Sequence, residues 1–205
     1  GGFGPGTAGG RVADHSAAHG SRCGSVIVDV DRWPEALAAE MDSGIVAIDG
    51  PSGSGKSTFA DALVTCLRAC GTGVQLIRTD DFATWDNPVA WWPELEADIL
   101  QAFVRRHDYH YRPRVWHDGV AEPGRLVWLR WEPLLIIEGV SSARRRIAPR
   151  LSHSLWLDGG SADQRLERAV ARDGAESRPM LQRWQQFERG WFAVDRTRQR
   201  SRVLG

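Results

Sequence analysis

The chain has 205 residues, a length typical of one domain with a sizeable core. Its 26 basic and 26 acidic side chains balance, and the sequence pI is about 7.2, so its charge gives no reason to expect a nucleic-acid or membrane partner. No apolar run reaches the length of a membrane span, so we expect a cytoplasmic protein, whose oligomeric state the sequence leaves open.

The start of the chain differs in composition from the rest. Residues 1–24 are rich in Gly, Ala and Ser and lack periodicity, so we expect a flexible leader there and a single domain over residues 25–205. The apolar run at 25–30 predicts a short strand. Pro34 then begins a predicted helix that ends at Gly44.

The most specific motif occupies residues 50–58 and fits G-x-x-x-x-G-K-[ST], the phosphate-binding P-loop. An apolar run at 44–49 predicts a strand before it, and the periodicity of 59–70 predicts a helix after it. Glycines let backbone N–H groups turn towards a phosphate, and the start of a helix adds unpaired N–H donors. The residues expected to bind the nucleotide are Gly50, Ser52, Gly53, Ser54, Gly55, Lys56, Ser57 and Thr58, with the Ser57 hydroxyl also on Mg²⁺.

The lysine of this motif is the only one in the chain, beside 25 arginines. A compact ammonium group suits a phosphate cradle better than a planar guanidinium does. We therefore expect Lys56 to reach the terminal phosphates and to act in catalysis.

Strand and helix patterns alternate after the P-loop. We expect strands at 74–79, 125–129, 134–139 and 154–158, helices at 93–106, 142–151 and 161–172, a long last helix from Pro179, and a short final strand at 203–204. Residues 83–92 and 107–124 show no clear period and are expected to be irregular. The alternation predicts an α/β fold with a mostly parallel sheet of about five strands and helices on both faces.

Carboxylates end two of the predicted strands. Glu138 stands where an acid would bind Mg²⁺ directly or through water. Asp80 and Asp81 end the strand at 74–79; one could accept the proton of an attacking hydroxyl, and the other could orient metal-bound water. Because successive strand residues point to opposite faces, we expect only one of the pair to face the terminal phosphate.

Together the P-loop, Asp80-x-Phe82 and the segment 134–139 resemble the uridine kinase, phosphoribulokinase and pantothenate kinase group of small-molecule kinases, with uridine kinases the most similar. The resemblance spans about residues 44–195 and implies a three-layer P-loop NTPase sandwich with a helical lid at about 161–178. It implies that Asp80 is the general base, that Glu138 lies on the metal side, and that Asp86 holds ribose hydroxyls. With Asp80 as the base, we assign Asp81 to the metal, where it would orient metal-bound water. It also implies that Arg165, Arg168 and Arg172 are lid arginines that reach the transferring phosphates.

The resemblance is weaker where uridine kinases recognise the pyrimidine. Tyr111, Trp116 and His117 offer the right chemical types for the substrate, but their spacing differs. Ala169 also stands where the family has a further lid arginine. The resemblance to uridine kinases therefore predicts the reaction mechanism better than it predicts the substrate.

The predicted function is transfer of the γ-phosphate of ATP, with Mg²⁺, to a hydroxyl of a small metabolite, a nucleoside being the first candidate. Two alternatives stay open. One is a nucleoside monophosphate kinase, because the lid and tail are rich in arginine. The other is a nucleotide-dependent ATPase or switch in which Asp80 positions water.

Overall fold

The computed structural model describes residues 32–117 and 120–204. The predicted leader at 1–24 and the predicted strand at 25–30 lie outside the described residues. The elements in chain order are α1 (Trp33–Ala38), β1 (Gly44–Asp49), α2 (Lys56–Ala69), β2 (Val74–Arg78), α3 (Trp92–Leu95), α4 (Gln101–Val104), β3 (Tyr109–Tyr111), β4 (Arg114–His117), β5 (Val120–Pro123), β6 (Val127–Leu129), β7 (Leu134–Glu138), β8 (His153–Leu157), α5 (Ala162–Asp173), α6 (Arg178–Asp195), α7 (Thr197–Arg200) and β9 (Arg202–Leu204). Short 3₁₀ turns cover Thr79–Asp81, Ala148–Arg150 and Ala175–Ser177, and a π-helical turn at Glu96–Leu100 joins α3 to α4.

Five parallel strands form the central sheet in the order β2-β7-β1-β8-β9. The register places Ile48 beside Glu138 and Asp49 beside Trp156, so the carboxyl ends of the middle strands meet at one edge. The P-loop leaves β1 at this edge. The predicted fold class, a P-loop NTPase type of α/β sandwich, is confirmed, and so is the short final strand.

Each face of the sheet carries its own apolar core. Helices α1 and α2 cover one face, with Leu37, Leu63 and Leu67 fully buried against β1 and β7. The segment from Trp91 to α4 covers the other face, where it packs against Leu135 and Ile137 of β7. The helical pattern of residues 93–106 therefore folds as predicted, apart from the π turn. Helix α1, by contrast, ends at Ala38, and Gly44 is the first residue of β1, so the predicted helix stop at Gly44 is wrong.

The expectation that residues 107–124 are irregular is wrong. Strand β3 pairs antiparallel with β6, and β4 pairs antiparallel with β5. These are strands of three or four residues that pair outside the central sheet, and runs this short carry little periodicity. The predicted strand at 125–129 exists as β6, but it belongs to a small two-stranded sheet rather than to the central one.

The predicted helix at 142–151 is also wrong, since only the 3₁₀ turn Ala148–Arg150 forms there. The buried carboxylate of Asp49 accepts hydrogen bonds from the N–H groups of Ser141 (3.2 Å) and Ala143 (2.9 Å). Ser141 also has a left-handed backbone, with φ +70°. These contacts fold the segment around the end of β1, and Pro149 removes a further N–H that a helix would need.

Helix α5 begins as predicted. The Ser161 hydroxyl accepts from the Gln164 N–H, and the Gln164 side chain accepts from the Ser161 N–H, so both halves of the capping box are present. In the described part of the chain, no helix combines the length and the apolar character needed to cross a membrane.

Candidate functional site

The P-loop turns tightly between β1 and α2. Gly53 and Gly55 have φ values of +73° and +92°, which favour glycine. A Cβ atom on Gly53 would lie 2.3 Å from the backbone oxygen of Arg165, so the start of the predicted lid packs directly on the loop. Because α2 begins at Lys56, its unpaired N–H groups belong to the end of the P-loop.

A cavity of about 260 Å³, here called the P-loop cavity, lies beside this loop. Lys56 lines it and is buried, and its Nζ donates to the Pro51 carbonyl at 2.9 Å. Ser57 and Thr58 line it from the start of α2, and Arg168 lines it from α5. The cavity combines N–H donors, one ammonium and a guanidinium, which are groups that bind phosphates.

An acidic wall of this cavity comes from β7. Both carboxylate oxygens of Glu138 lie 3.3 Å from the Ser57 hydroxyl, which donates to them, and one lies 3.6 Å from the Arg78 guanidinium. Burial raises the pKa of Glu138, against the lowering effect of the Lys56 charge. Among residues 32–117 and 120–204, no group of three His, Cys, Asp or Glu side chains could hold a metal ion by itself. Glu138 and Ser57 are nevertheless oxygen donors of the type that Mg²⁺ takes together with water and phosphate oxygens.

Asp80 and Asp81 lie in a 3₁₀ turn after β2, not in the strand itself, so alternation along a strand does not separate them. Asp80 is exposed. Asp81 is partly buried, its carboxylate accepts from the Tyr111 hydroxyl at 2.8 Å, and burial raises its pKa. Asp80 lines the P-loop cavity, whereas Asp81 is not among the residues that line it. The metal role of Asp81 stays a prediction, one that this placement does not favour.

A second cavity, of about 570 Å³, adjoins the first. We call it the tryptophan cavity because Trp85, Trp116 and Trp184 line it. Trp85 lies at the centre of the three, and its ring meets the rings of Trp116 (5.9 Å between centroids) and Trp184 (5.6 Å) edge to face. Asp80 and Asp81 also line this cavity. The result is an aromatic wall beside two carboxylates.

The predicted substrate residues are distributed unevenly around this cavity. Trp116 lines it, whereas Asp86 is exposed and lines a neighbouring hollow together with Trp85 and Trp116. Tyr111 is buried and reaches the cavity only through its bond to Asp81. His117 follows Trp116 in β4, so its side chain leaves the opposite face of the strand, and it does not line the cavity.

The three arginines predicted to belong to a lid have different contacts. Arg165 donates to the carbonyl groups of Asp158 and Gly160, so it holds the start of α5. Arg168 donates to the Gly53 carbonyl at 2.8 Å and lines the P-loop cavity. Arg172 lines both cavities, and its exposed side chain is paired with the neighbouring Asp173.

The structure reveals two buried carboxylates at the P-loop that the motifs did not identify. Asp49 accepts from the Gly50 N–H at 2.7 Å and from two N–H groups of the loop after β7. Burial raises its pKa to about 7, and these hydrogen bonds and the Lys56 charge only partly oppose the rise. Glu188, on α6, accepts from Ser52. An acid directly before a P-loop was a usable sequence signal for Asp49, but nothing local marks Glu188.

Comparisons with known proteins agree with this geometry at the level of the fold. No protein-family model matches the chain, and no curated protein sequence matches it. A structure from Bacillus stearothermophilus, described as a possible uridine kinase, superposes with a TM-score of 0.62 at 19% identity, covering 86% of this chain and 97% of the other. A structure from Silicibacter sp. TM1040, described as a fructose transport system kinase, gives a TM-score of 0.55 at 18% identity, covering 80% and 95%. The chain therefore has a uridine kinase-like P-loop fold.

Proposed function

We propose that the chain is an ATP-dependent kinase that transfers the terminal phosphate to a hydroxyl of a small metabolite without negative charge, a nucleoside being the first candidate. The observation that carries the proposal is the junction of the two cavities. Within the described part of the chain, three residues line both of them: Ser52, Asp80 and Arg172. A phosphate in one cavity and a hydroxyl in the other would meet beside a carboxylate and a guanidinium.

The residues around this junction have complementary roles in the proposed transfer. Lys56 and the N-terminus of α2 hold the phosphates. The Asp80 carboxylate accepts the proton of the attacking hydroxyl. Arg168 and Arg172 neutralise charge on the phosphates, and Arg172 exchanges its partner Asp173 for phosphate oxygens when it does so. Positioning and electrostatics supply most of the rate in reactions of this class.

The fold family implies Mg²⁺ in such a reaction. Ser57 and Glu138 would hold the ion, because their oxygens lie within 3.3 Å of each other at the edge of the P-loop cavity. The ion would supply positive charge to the phosphate oxygens. Two protein ligands suffice for an ion that keeps several waters and binds phosphate oxygens.

The charges around the tryptophan cavity favour an acceptor without a phosphate of its own. Asp80 and Asp81 lie on its wall. Arg114, which also lines it, is bound to Glu94 at 2.9 Å, and Arg172 is drawn to the nucleotide in the proposed mechanism. A phosphorylated acceptor would therefore face these two carboxylates and that of Asp173, and each arginine among the described lining residues already has another partner. This argues against the nucleoside monophosphate kinase alternative.

The aromatic wall supports an acceptor with a planar ring. Trp85 and Trp116 are about two-fifths exposed, so their rings are open to a ligand. Stacking on such side chains is worth about 1–3 kcal/mol per base in nucleic-acid binding and does not depend on a particular base. A nucleoside combines a planar ring with a primary hydroxyl and carries no negative charge.

The test is ADP release from Mg·ATP in the presence of a panel of nucleosides, nucleoside monophosphates and other hydroxylated metabolites. We expect uncharged ring compounds to stimulate release and monophosphates to have no effect. Lys56→Ala serves as the blank for contaminating kinases. Release that needs no acceptor would favour the ATPase, and stimulation by monophosphates alone would favour the monophosphate kinase. Either result would overturn the proposal.

A further inference from the structure

A carboxylate on α6 reaches the P-loop from 136 residues further along the chain. Glu188 is 1% exposed. Its two carboxylate oxygens each lie 3.1 Å from the Ser52 nitrogen, and one lies 2.5 Å from the Ser52 hydroxyl. An ionised carboxylate only accepts hydrogen bonds, so Ser52 donates both its N–H and its O–H to Glu188.

Ser52 holds a special position in the site. It is one of the three residues that line both the P-loop cavity and the tryptophan cavity, so it lies where the terminal phosphate of a triphosphate would be transferred. In most of the P-loop, donors of this kind are available to phosphate oxygens. At Ser52, both donors are already committed to Glu188.

The charges near Ser52 also disfavour a phosphate bound beside it. Burial raises the pKa values of three carboxylates, those of Asp49, Glu138 and Glu188, and the positive charge of Lys56 is close enough to oppose the rise in all three. Asp49 has three backbone donors, and Glu138 lies where a metal ion would be held. Glu188 has the two donors of Ser52 and a side-chain hydrogen bond from Trp184, and it shares one ammonium with two other acids. Its negative charge therefore acts on anything bound next to Ser52.

We propose that Glu188 weakens the binding of the third phosphate of a nucleoside triphosphate to the P-loop. It occupies the two hydrogen-bond donors of Ser52, and it places a negative charge behind them. The inference rests on the proposed function, since it assumes that the P-loop cavity binds ATP. A weaker hold on the ground state benefits a kinase, because interactions that bind substrate and transition state equally do not accelerate transfer. In a loose transition state the terminal phosphoryl group also loses charge to the leaving diphosphate, so repulsion is relieved during transfer.

The test compares the dissociation constants of ADP and of the non-hydrolysable analogue AMP-PNP, each with Mg²⁺, by calorimetry. Wild type, Glu188→Gln and Glu188→Ala are measured, with Glu35→Gln as the matched control because Glu35 is an exposed acid on α1. We expect both Glu188 variants to bind AMP-PNP at least tenfold more tightly and ADP as wild type does, because one unit charge within about 10 Å in an effective dielectric of about 20 changes affinity by a factor of ten or more. Glu35→Gln should change neither constant.

The sign of the effect separates this role from a structural one. If Glu188 merely held the loop in shape, both variants would bind both nucleotides more weakly, and that result would overturn the inference. Equal shifts for ADP and AMP-PNP, or no shift, would do the same. If Glu188→Ala fails to fold by circular dichroism, the near-isosteric Glu188→Gln decides alone. If wild type binds neither nucleotide, the proposed function itself fails.

Discussion

Asp80 and Asp81 are adjacent in one 3₁₀ turn, yet the structure predicts different consequences for their loss. Asp80 is exposed at the junction of the two cavities. Asp81 lies behind it, and its carboxylate accepts a hydrogen bond from the Tyr111 hydroxyl at 2.8 Å. The substitutions Asp80→Asn and Asp81→Asn nearly preserve shape and remove one charge each. They are therefore a matched pair that separates a catalytic role from a supporting one.

For Asp80→Asn we expect a loss in kcat and no loss in stability. A general base contributes typically ~10²–10⁴-fold, so kcat should fall by about 10²-fold or more, which corresponds to about 2.7 kcal/mol in the barrier. Among the described residues the Asp80 carboxylate has no hydrogen-bond partner, so the melting temperature should stay the same. The affinity for AMP-PNP should change little, because the carboxylate acts on the acceptor.

For Asp81→Asn the expected cost is in stability. The bond from Tyr111 changes from a charge-assisted one, worth about 1.5–3 kcal/mol, to a neutral one, worth about 0.5–1.5 kcal/mol. Removing a partly buried charge offsets some of this loss, since burial raises the pKa of Asp81. The net destabilisation should therefore be about 1 kcal/mol or less, and kcat should remain within a few-fold of wild type.

Both variants are assayed by ADP release at saturating Mg·ATP and saturating acceptor, with thermal melts in parallel. If Asp81→Asn abolishes turnover while Asp80→Asn is nearly silent, the base is Asp81 and the assignment is wrong by one residue. If both are silent, the turn carries no base, and the proposed proton transfer is refuted.

Three further predictions concern the P-loop and the lid. Lys56→Ala should lower ATP affinity at least tenfold in calorimetry, with an unchanged circular dichroism spectrum. Lys56→Arg should lower ATP affinity as well, because a planar guanidinium does not replace a compact ammonium group. Hydrogen exchange in α5 should slow when AMP-PNP binds, because Arg168 and Arg172 gain phosphate partners. Asp49 should make folding pH-dependent. Its pKa is about 7 in the folded chain against an ordinary 3.8, so the folded state holds a proton that the unfolded state has lost. The contribution of Asp49 to the unfolding free energy should therefore fall by roughly 4 kcal/mol as pH rises from about 4 to about 7, and Asp49→Asn should lack this fall in denaturant titrations.

Each of these has an outcome that would contradict it. Unchanged ATP affinity in a folded Lys56→Ala variant would mean that Lys56 does not bind the nucleotide. Exchange in α5 that is equally slow with and without the analogue would argue against a lid. Identical pH profiles for wild type and Asp49→Asn would mean that the buried carboxylate does not titrate with a raised pKa.

Much of the fold follows from local sequence patterns. The P-loop, the apolar run of β7 and the capping box at Ser161 each act over a few residues, and each forms where it was predicted. Residues 142–151 show where local patterns fail. Their helical composition is overridden by Asp49, which accepts hydrogen bonds from the N–H groups of Ser141 and Ala143 and lies in a strand about 90 residues earlier.

The site was predictable to the same extent. Lys56, Asp80 and Glu138 follow strands at one edge of the sheet, so topology brings them together. Trp184 and Glu188 arrive from the far end of the chain on α6, and only the packing of that helix determines which of its side chains face the P-loop. The long helix from Pro179 was therefore predicted from the sequence, but which of its side chains would reach the site was not.

The central claim is that a phosphate moves from the P-loop cavity to a hydroxyl in the tryptophan cavity. The most direct measurement follows the terminal phosphate of γ-labelled ATP after incubation with the chain, Mg²⁺ and a mixture of nucleosides, separated by chromatography. The label should appear on an organic acceptor with wild type, and it should do so about a hundredfold more slowly with Asp80→Asn. Label recovered as inorganic phosphate, at the same rate with and without nucleosides, would contradict it.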